Sequence, residues 1–459
     1  MKLWDKGISI DKKIENFTVG KDRELDMYLA GHDLQASAAH AKMLGKVGLI
    51  TEAEVNELVA ELQCLQQQVK EGTFLIEEDF EDVHSKIEYE LTKKLGDTGK
   101  KIHTARSRND QVLVALQLYF KENLQEIISR VNELIDALLK LAEEHKGSLL
   151  PGYTHLQVAM PSSFGLWFSA YAEILIDDLY QLKAALKVVD QNPLGSAAGY
   201  GSSFPIDREF TTKELGFSTM KFNVVAAQMS RGKSERAVTS AIASVANTLS
   251  RFSMDICLYM SQNFSFISFP EALTTGSSIM PHKKNPDVFE LVRGKSNKLQ
   301  AIAGEMVLVT NNLPGGYHRD FQVIKENSIY SVESLKEILD VFTHSISQII
   351  VKEVNLQDEK YKYLFTVDSI NDLVMEGKSF REAYQIIGEQ VQKGTYEPVG
   401  NKHHTHSGSK DNLSLDEIRR KQRFMYPIPL FVTYTLPVIV ALKRARTNIG
   451  YRCRIDSSR

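Results

Sequence analysis

Leu113, Leu116, Phe120, Leu124, Ile127, Val131, Leu134, Leu138 and Leu141 follow one another in steps of three and four. That spacing lines them up on one face of a helix. At 1.5 Å per residue such a helix would be ~40 Å long, beyond the usual globular length and suited to a bundle that spans an oligomer. The pattern returns at Phe164, Trp167, Tyr171, Leu175, Leu179, Leu182, Leu186 and Val189, and again from Val332 through Leu335, Leu339, Phe342, Ile346 and Ile349. Between Ala237 and Phe264 the stripe is thinner and carries Ala241, Ser244, Ala246 and Ser250. Small residues let neighbouring helices approach, so this helix is expected at the centre. No Val/Ile-rich run and no strict alternation interrupts these stripes, and the expected fold class is all-α.

The flanks are less regular. Residues 1–34 mix charge with Gly7, Gly20 and Gly31 and read as an irregular lead-in, with helix beginning near Leu34. Two helices are expected from there to Glu71, split at Gly48-Leu49-Ile50-Thr51, where Thr51 and Glu54 form a capping box. Glu81 to Glu88 is acidic with helical spacing and reads as a solvated helix start rather than a metal site. Residues 426–442 are apolar but hold three prolines, short for a membrane span, and the tail 426–459 is expected to be poorly ordered.

Composition removes several function classes. Lys+Arg 55 against Asp+Glu 58 leaves a formal charge of −3, which gives no bulk drive toward nucleic acid or an anionic membrane. Any anionic ligand must then be held by local clusters. Cys64, Cys257 and Cys453 are far apart and outside any CxxC spacing, against both a disulfide framework and a zinc site. A reducing cytoplasm fits, and Met1 to Lys6 lacks the apolar stretch of a secretory signal.

The breaks between long helices hold the unusual residues. Gly276-Ser277-Ser278-Ile279-Met280-Pro281-His282-Lys283-Lys284-Asn285-Pro286 combines a permissive glycine, two stiffening prolines, two lysines and an amide. It reads either as a clamp for a carboxylate or oxyanion or as a surface turn with solvated lysines. Arg106 and Arg108 flank Ser107 ahead of Asn109-Asp110, which would cap the first long helix; a carboxylate receptor and an ordinary cap are both open. His155 follows Pro151-Gly152-Tyr153-Thr154 where a loop runs toward the Phe164 helix, as a general acid or base or as a structural histidine. Gly195 to Gly201 lacks the Gly-Lys-Ser/Thr ending of a P-loop. His403, His404 and His406 read as loop histidines, and no metal is expected.

Together these segments resemble the argininosuccinate lyases of the aspartase/fumarase superfamily, from about residue 34 to 395. The superfamily signature Gly-Ser-Ser-x-x-Pro-x-Lys-x-Asn is complete at Gly276 to Asn285. Thr104 to Gln111, Gly152 to Gln157, and Tyr317 followed by Asp320, Gln322 and Lys325 carry the subfamily likeness. The resemblance implies a three-domain superfamily lyase fold, divided here at 1–108, 109–355 and 356–425, whose central long-helix bundle forms a homotetramer core with composite active sites. It implies a cofactor-free anti elimination of argininosuccinate to arginine and fumarate, the last step of arginine biosynthesis. Ser277 would be the base, Lys283 and Asn285 would hold the aci-carboxylate, and His155 paired with Glu290 would help move the proton toward the leaving group. Ser107, Arg108, Asn109 and Thr154 match the family's carboxylate contacts, and Tyr317, Gln322 and Lys325 its remaining substrate contacts.

Two departures stand out. The family's N-terminal Trp-Gly-Gly-Arg-Phe is here Trp4-Asp5-Lys6-Gly7-Ile8, leaving Asp22 and Asp26 only as candidate contacts, and the usual Gln before Lys-Lys-Asn is His282. The tail beyond Lys421 matches nothing in the family. Rival readings are another superfamily lyase, such as adenylosuccinate lyase or aspartase, and a catalytically silent structural homologue. The Arg-Ser-Arg-Asn-Asp run and the Tyr317 to Lys325 spacing argue against the first, and the presence of both His155 and Ser277 against the second.

Overall fold

Several helix starts in this chain are set by side chains that take up free backbone N–H groups. Ser107 accepts from Asn109 N while Asp110 reaches back to Ser107 N, a capping box that opens the longest helix. The cap is therefore Ser107, not the expected Asn109-Asp110 pair. A computed structural model describes residues 11–424. The Trp4 to Ile8 departure, Cys453 and the 426–459 tail lie outside the described residues.

The N-terminal part runs α1 (Lys12–Val19), α2 (Asp22–Asp26), α3 (Ala30–Lys46), α4 (Glu52–Lys70), α5 (Val83–Leu95) and α6 (Asp97–Lys100). The irregular lead-in expected before Leu34 is thus helical over much of its length. Asp11 caps α1, and these short helices lean on the body of the protein through side chains that no local pattern reveals. The break before α4 is as expected, with the Thr51–Glu54 capping box formed. The Glu81 to Ile87 stretch, read as a solvated helix start, is buried. Its charges are met by partners from other segments, described below.

The body is α7 (Arg108–Glu144), α8 (Phe164–Val189), α9 (Arg208–Glu214), α10 (Val224–Gln228), α11 (Lys233–Met260), α12 (Asp287–Val309) and α13 (Asp320–Ile346). All the stripe residues from Leu113 to Leu141 are buried, and from Leu116 onward they belong to one apolar cluster shared with α8, α11, α12 and α13. Burying each such leucine contributes roughly 1.5–3 kcal/mol, which is why the stripe dictates the bundle. α11 packs against α7, α8, α12 and α13 and lies at the centre, as its small residues require. The long helices alternate in direction: Ser244 Oγ donates to Asp178 at 2.5 Å and Trp167 to Asp255 at 3.1 Å, so α8 and α11 are antiparallel. Asn247 meets Gln300 and Ser250 meets Asn297, so α12 returns beside α11.

α14 (Thr366–Met375) and α15 (Phe380–Gln392) enclose a small cluster of Ile370, Ala383, Ile387 and Tyr396. α16 (Leu415–Phe424) instead packs back onto the bundle through Leu415 and Ile418. The fold is mostly helical. The all-α expectation holds for the body, and its longest strand element is a hairpin in which β1 (Leu149–Thr154) and β2 (Gln157–Ser163) pair antiparallel between α7 and α8. Two-residue strand pairs also join Gln191–Asn192 to Thr219–Met220 and Ile267–Ser268 to Ile350–Val351.

Candidate active site

α7 rises 1.5 Å per residue for 37 residues, so the body has two ends roughly 55 Å apart. Call the end with Arg108 the near end. Gln117 Nε2 donates to Ser234 Oγ at 2.8 Å, so α11 also begins there, and α13 runs alongside α7 in the same sense, with Tyr119 on Glu333 and Arg130 on Asp340. The hairpin leaves the far end of α7, where Phe164 N donates to Ser148 O and Gly165 N to His145 O.

A cleft of about 690 Å³ opens at the near end. Ser107, Arg108 and Asn109 come to it from the start of α7, and Tyr317, Gln322 and Lys325 from the turn into α13. Its third wall is the Glu81 to His84 segment, and α2 adds Asp22 and Asp26. The charges are arranged in pairs. Lys325 Nζ is 2.8 Å from both Asp22 and Asp26. Burial would lower the Lys325 pKa, but Asp26 and Asp22 raise it overall, so the ammonium persists. For Asp22 the burial wins over Lys325 and the carboxyl lies above its ordinary range. Arg108 reaches Glu81 at 3.1 Å and also pairs with Asp82. Gln322 Nε2 donates to Thr18 O at 2.8 Å, and Arg319 joins Thr18 O to Glu81. Deep in the wall, His84 Nδ1 is 2.7 Å from Asp33. Burial disfavours its charge, yet Asp33, Asp82 and Asp26 together raise its pKa. A pocket with this many fixed cations and anions suits a ligand bearing both carboxylates and cationic nitrogen.

The Gly276 to Pro286 loop stands at the far end, between α11 and α12. Its neck is tied by Asn285 N to Thr275 O at 2.9 Å and by the Asn285 amide to Thr275 Oγ1 and Gly276 O, both 3.3 Å. Met280 N points at Ser277 Oγ from 3.2 Å and Ile279 N from 3.4 Å. Two N–H dipoles aimed at one hydroxyl oxygen favour its anion, the state in which a serine can act as a base. Lys283 is exposed and makes no ion pair among the described residues; Lys284 pairs with Glu271 at 3.2 Å. Beside this loop, at the same end, Tyr153 of the hairpin packs on Phe264 and Phe266.

His155 and Leu156 are the two central residues of the hairpin turn, with φ of 55° and 58°. His155 is thus at an exposed tip, not at a helix start as read from its neighbours. Positive φ at both central positions is the type I′ hairpin turn, which favours Asn-Gly; a histidine and a leucine held there are strained and presented to the outside.

The profile of a family described as lyase matches residues 7–301. An argininosuccinate lyase of Bacteroides thetaiotaomicron is 52% identical over 417 residues, 91% of this chain and 94% of its own. Another, of Phocaeicola vulgatus, is 51% identical over 422 residues, 92% of this chain and 95% of its own. The chain belongs to the argininosuccinate lyase family. Among solved structures, an EDDS lyase in complex with formate superposes with a TM-score of 0.71 at 19% identity, covering 91% of each chain, which is a likeness of fold.

Within this member of the argininosuccinate lyase family, the residues expected at the site fall into two groups. Ser107, Arg108, Asn109, Tyr317, Gln322 and Lys325 share the near-end cleft. Thr154 and His155 at the hairpin tip, and Ser277, Lys283, Asn285 and Glu290 around the loop, belong to the far end. Among the described residues no hydrogen bond or ion pair joins His155 to Glu290, which is exposed in the first turn of α12. Sequence reasoning missed the wall of Glu81, Asp82 and His84 and the buried Arg231, which lines the cleft and donates to Phe321 O at 2.8 Å. The signal at Glu81-Asp82-Val83-His84 was visible, but its acidity reads as solvation until Arg108 and Asp33 are placed beside it.

Proposed function

We propose that the protein cleaves argininosuccinate to arginine and fumarate by anti elimination, in the cytoplasm, as a homotetramer whose active sites are composite. The observation that carries this reading is the two-ended distribution of the site residues in a chain of this family. The cleft offers Arg108, Asn109, Tyr317, Gln322 and Lys325 for binding, but neither Ser277 nor His155 lines it. The loop offers Ser277 with two N–H groups on its oxygen, and none of its residues lines that cleft. A neighbouring copy lying antiparallel would bring its far end over this near end, and loop and cleft would complete one site.

In that site Ser277 takes the proton from the carbon next to a carboxylate of the succinyl half. Lys283 and Asn285 then face the doubly charged aci-carboxylate, with Arg108 and Asn109 across the cleft. His155, aimed from the hairpin tip and paired with Glu290, assists proton delivery as the carbon–nitrogen bond breaks. Closing the loop excludes water and strengthens each of these interactions.

The test is release of fumarate, read as rising ultraviolet absorbance, from argininosuccinate supplied without added metal or nucleotide. Fumarate from adenylosuccinate instead would transfer the protein to the rival lyase, and none from either would favour a silent homologue. Ser277→Ala should reduce turnover at least ~1000-fold while leaving the oligomer intact, since it removes one hydroxyl from an exposed loop and no core volume. Near-normal rates would take the serine out of the reaction.

A further inference from the structure

Asp110 is fully buried one turn into α7, and its carboxylate is shared between two segments far apart in sequence. One oxygen accepts from Ser107 N at 2.9 Å, closing the helix cap. The other accepts from Gly195 N at 3.2 Å and Ala197 N at 3.1 Å. Gly195 and Ala197 have φ of 86° and 52°. That turns their N–H groups toward one point, the backbone concavity that elsewhere holds a free anion. Here the anion is a side chain. A glycine is needed at 195, where a Cβ would lie 2.9 Å from Arg208 Cγ. Ala197, by contrast, occupies a left-handed conformation that L-residues avoid, and the Asp110 carboxylate is the group that rewards it for doing so. Just beyond this turn, Ala197, Ala198 and Gly201 line the cleft together with Arg108 and Asn109.

We infer that Asp110 is a positioning residue for the lyase reaction: it sets the distance between the helix start that presents Arg108 and Asn109 and the 195–201 loop that faces them. It touches no substrate and acts through those two walls. The role rests on the proposed reaction, since the cleft matters only if substrate binds there.

Asp110→Ala removes both acceptor oxygens and leaves the Gly195 and Ala197 N–H groups unpaired, whereas an asparagine would keep one oxygen on them. The KM for argininosuccinate should then rise at least about tenfold, the cost of a buried N–H left without a partner, while kcat changes less than about threefold. Adding Ala197→Gly should recover roughly threefold of that KM, because glycine accepts the positive φ without help. A role confined to overall stability predicts a lower thermal midpoint and no recovery from the glycine, and either an unchanged KM or an unrecovered one overturns the inference. Amide hydrogen exchange, read without substrate, separates this from the reaction itself. Asp110→Ala should speed exchange at Gly195 and Ala197 whatever the enzyme cleaves, and unchanged exchange there overturns the anchoring.

Discussion

His84 shows how a residue that reads as ordinary in sequence becomes decisive in place. It is buried beside Asp33, with Asp82 and Asp26 near enough to hold its pKa above the ordinary histidine value despite burial. Between pH 6.5 and that raised folded value, the folded chain keeps a proton that the unfolded chain has lost. Stability from this pair is therefore complete below about pH 6.5 and drains away as pH rises through the folded pKa, with a limiting slope of about 1.4 kcal/mol per pH unit. Denaturant midpoints measured from pH 6 to 9 should fall more steeply for the native protein than for His84→Asn. Parallel curves would mean that His84 is neutral in the fold. The sequence offered the histidine and its acidic neighbours, yet Asp33 lies 51 residues away, and no local pattern announces that pairing. The same holds for Lys325, whose spacing from Tyr317 was legible, while Asp22 and Asp26 read only as candidate substrate contacts and not as its partners.

Long helices were readable because each repeats one instruction many times: every third or fourth residue apolar, over more than 20 residues. The hairpin gave no such repetition. Leu149–Thr154 and Gln157–Ser163 contain Pro151 and Pro161, their apolar residues do not alternate, and the turn lacks glycine or asparagine. Tertiary packing wins over propensity there, since Tyr153 and Leu150 are held against the bundle while the tip stays exposed. Leu156 is 72% exposed at φ 58°, so it contributes strain and little packing. Leu156→Gly should therefore stabilise the protein by about 0.5–1 kcal/mol, the left-handed penalty less the added freedom of the unfolded chain. Chemical denaturation would register this as a higher midpoint at unchanged slope. A lower midpoint would mean that the leucine packs against something the exposed tip meets in the assembly. We also propose that the chain divides near residues 108 and 355; separate apolar clusters for α3–α5 and α14–α15 support three units, while Leu356, Phe365, Leu415 and Ile418 of the last unit pack on the bundle.

At the scale of the molecule, the length of α7 sets the problem that assembly must solve. No loop motion spans roughly 55 Å, so one chain cannot carry Ser277 to its own Asn109 if both serve one reaction. Closed symmetry between antiparallel copies places each far end on a neighbour's near end without distorting either. Exposed apolar residues on the bundle helices, including Ile174, Met254, Leu291 and Leu308, give such copies a surface to share. Two inactive variants then become informative. Ser277→Ala removes the base and Asn109→Ala removes a cleft contact whose side chain makes no hydrogen bond among the described residues. Each should be nearly inactive alone. When the two are unfolded, mixed and refolded together, sites that draw loop and cleft from different chains have roughly one chance in four of receiving both intact. Fumarate release should then reappear at a substantial fraction of the native rate, in hybrids isolated by carrying both affinity tags. If each chain built its own site, every site in every hybrid would still hold one defect. Hybrids as inactive as their parents would therefore refute the composite arrangement.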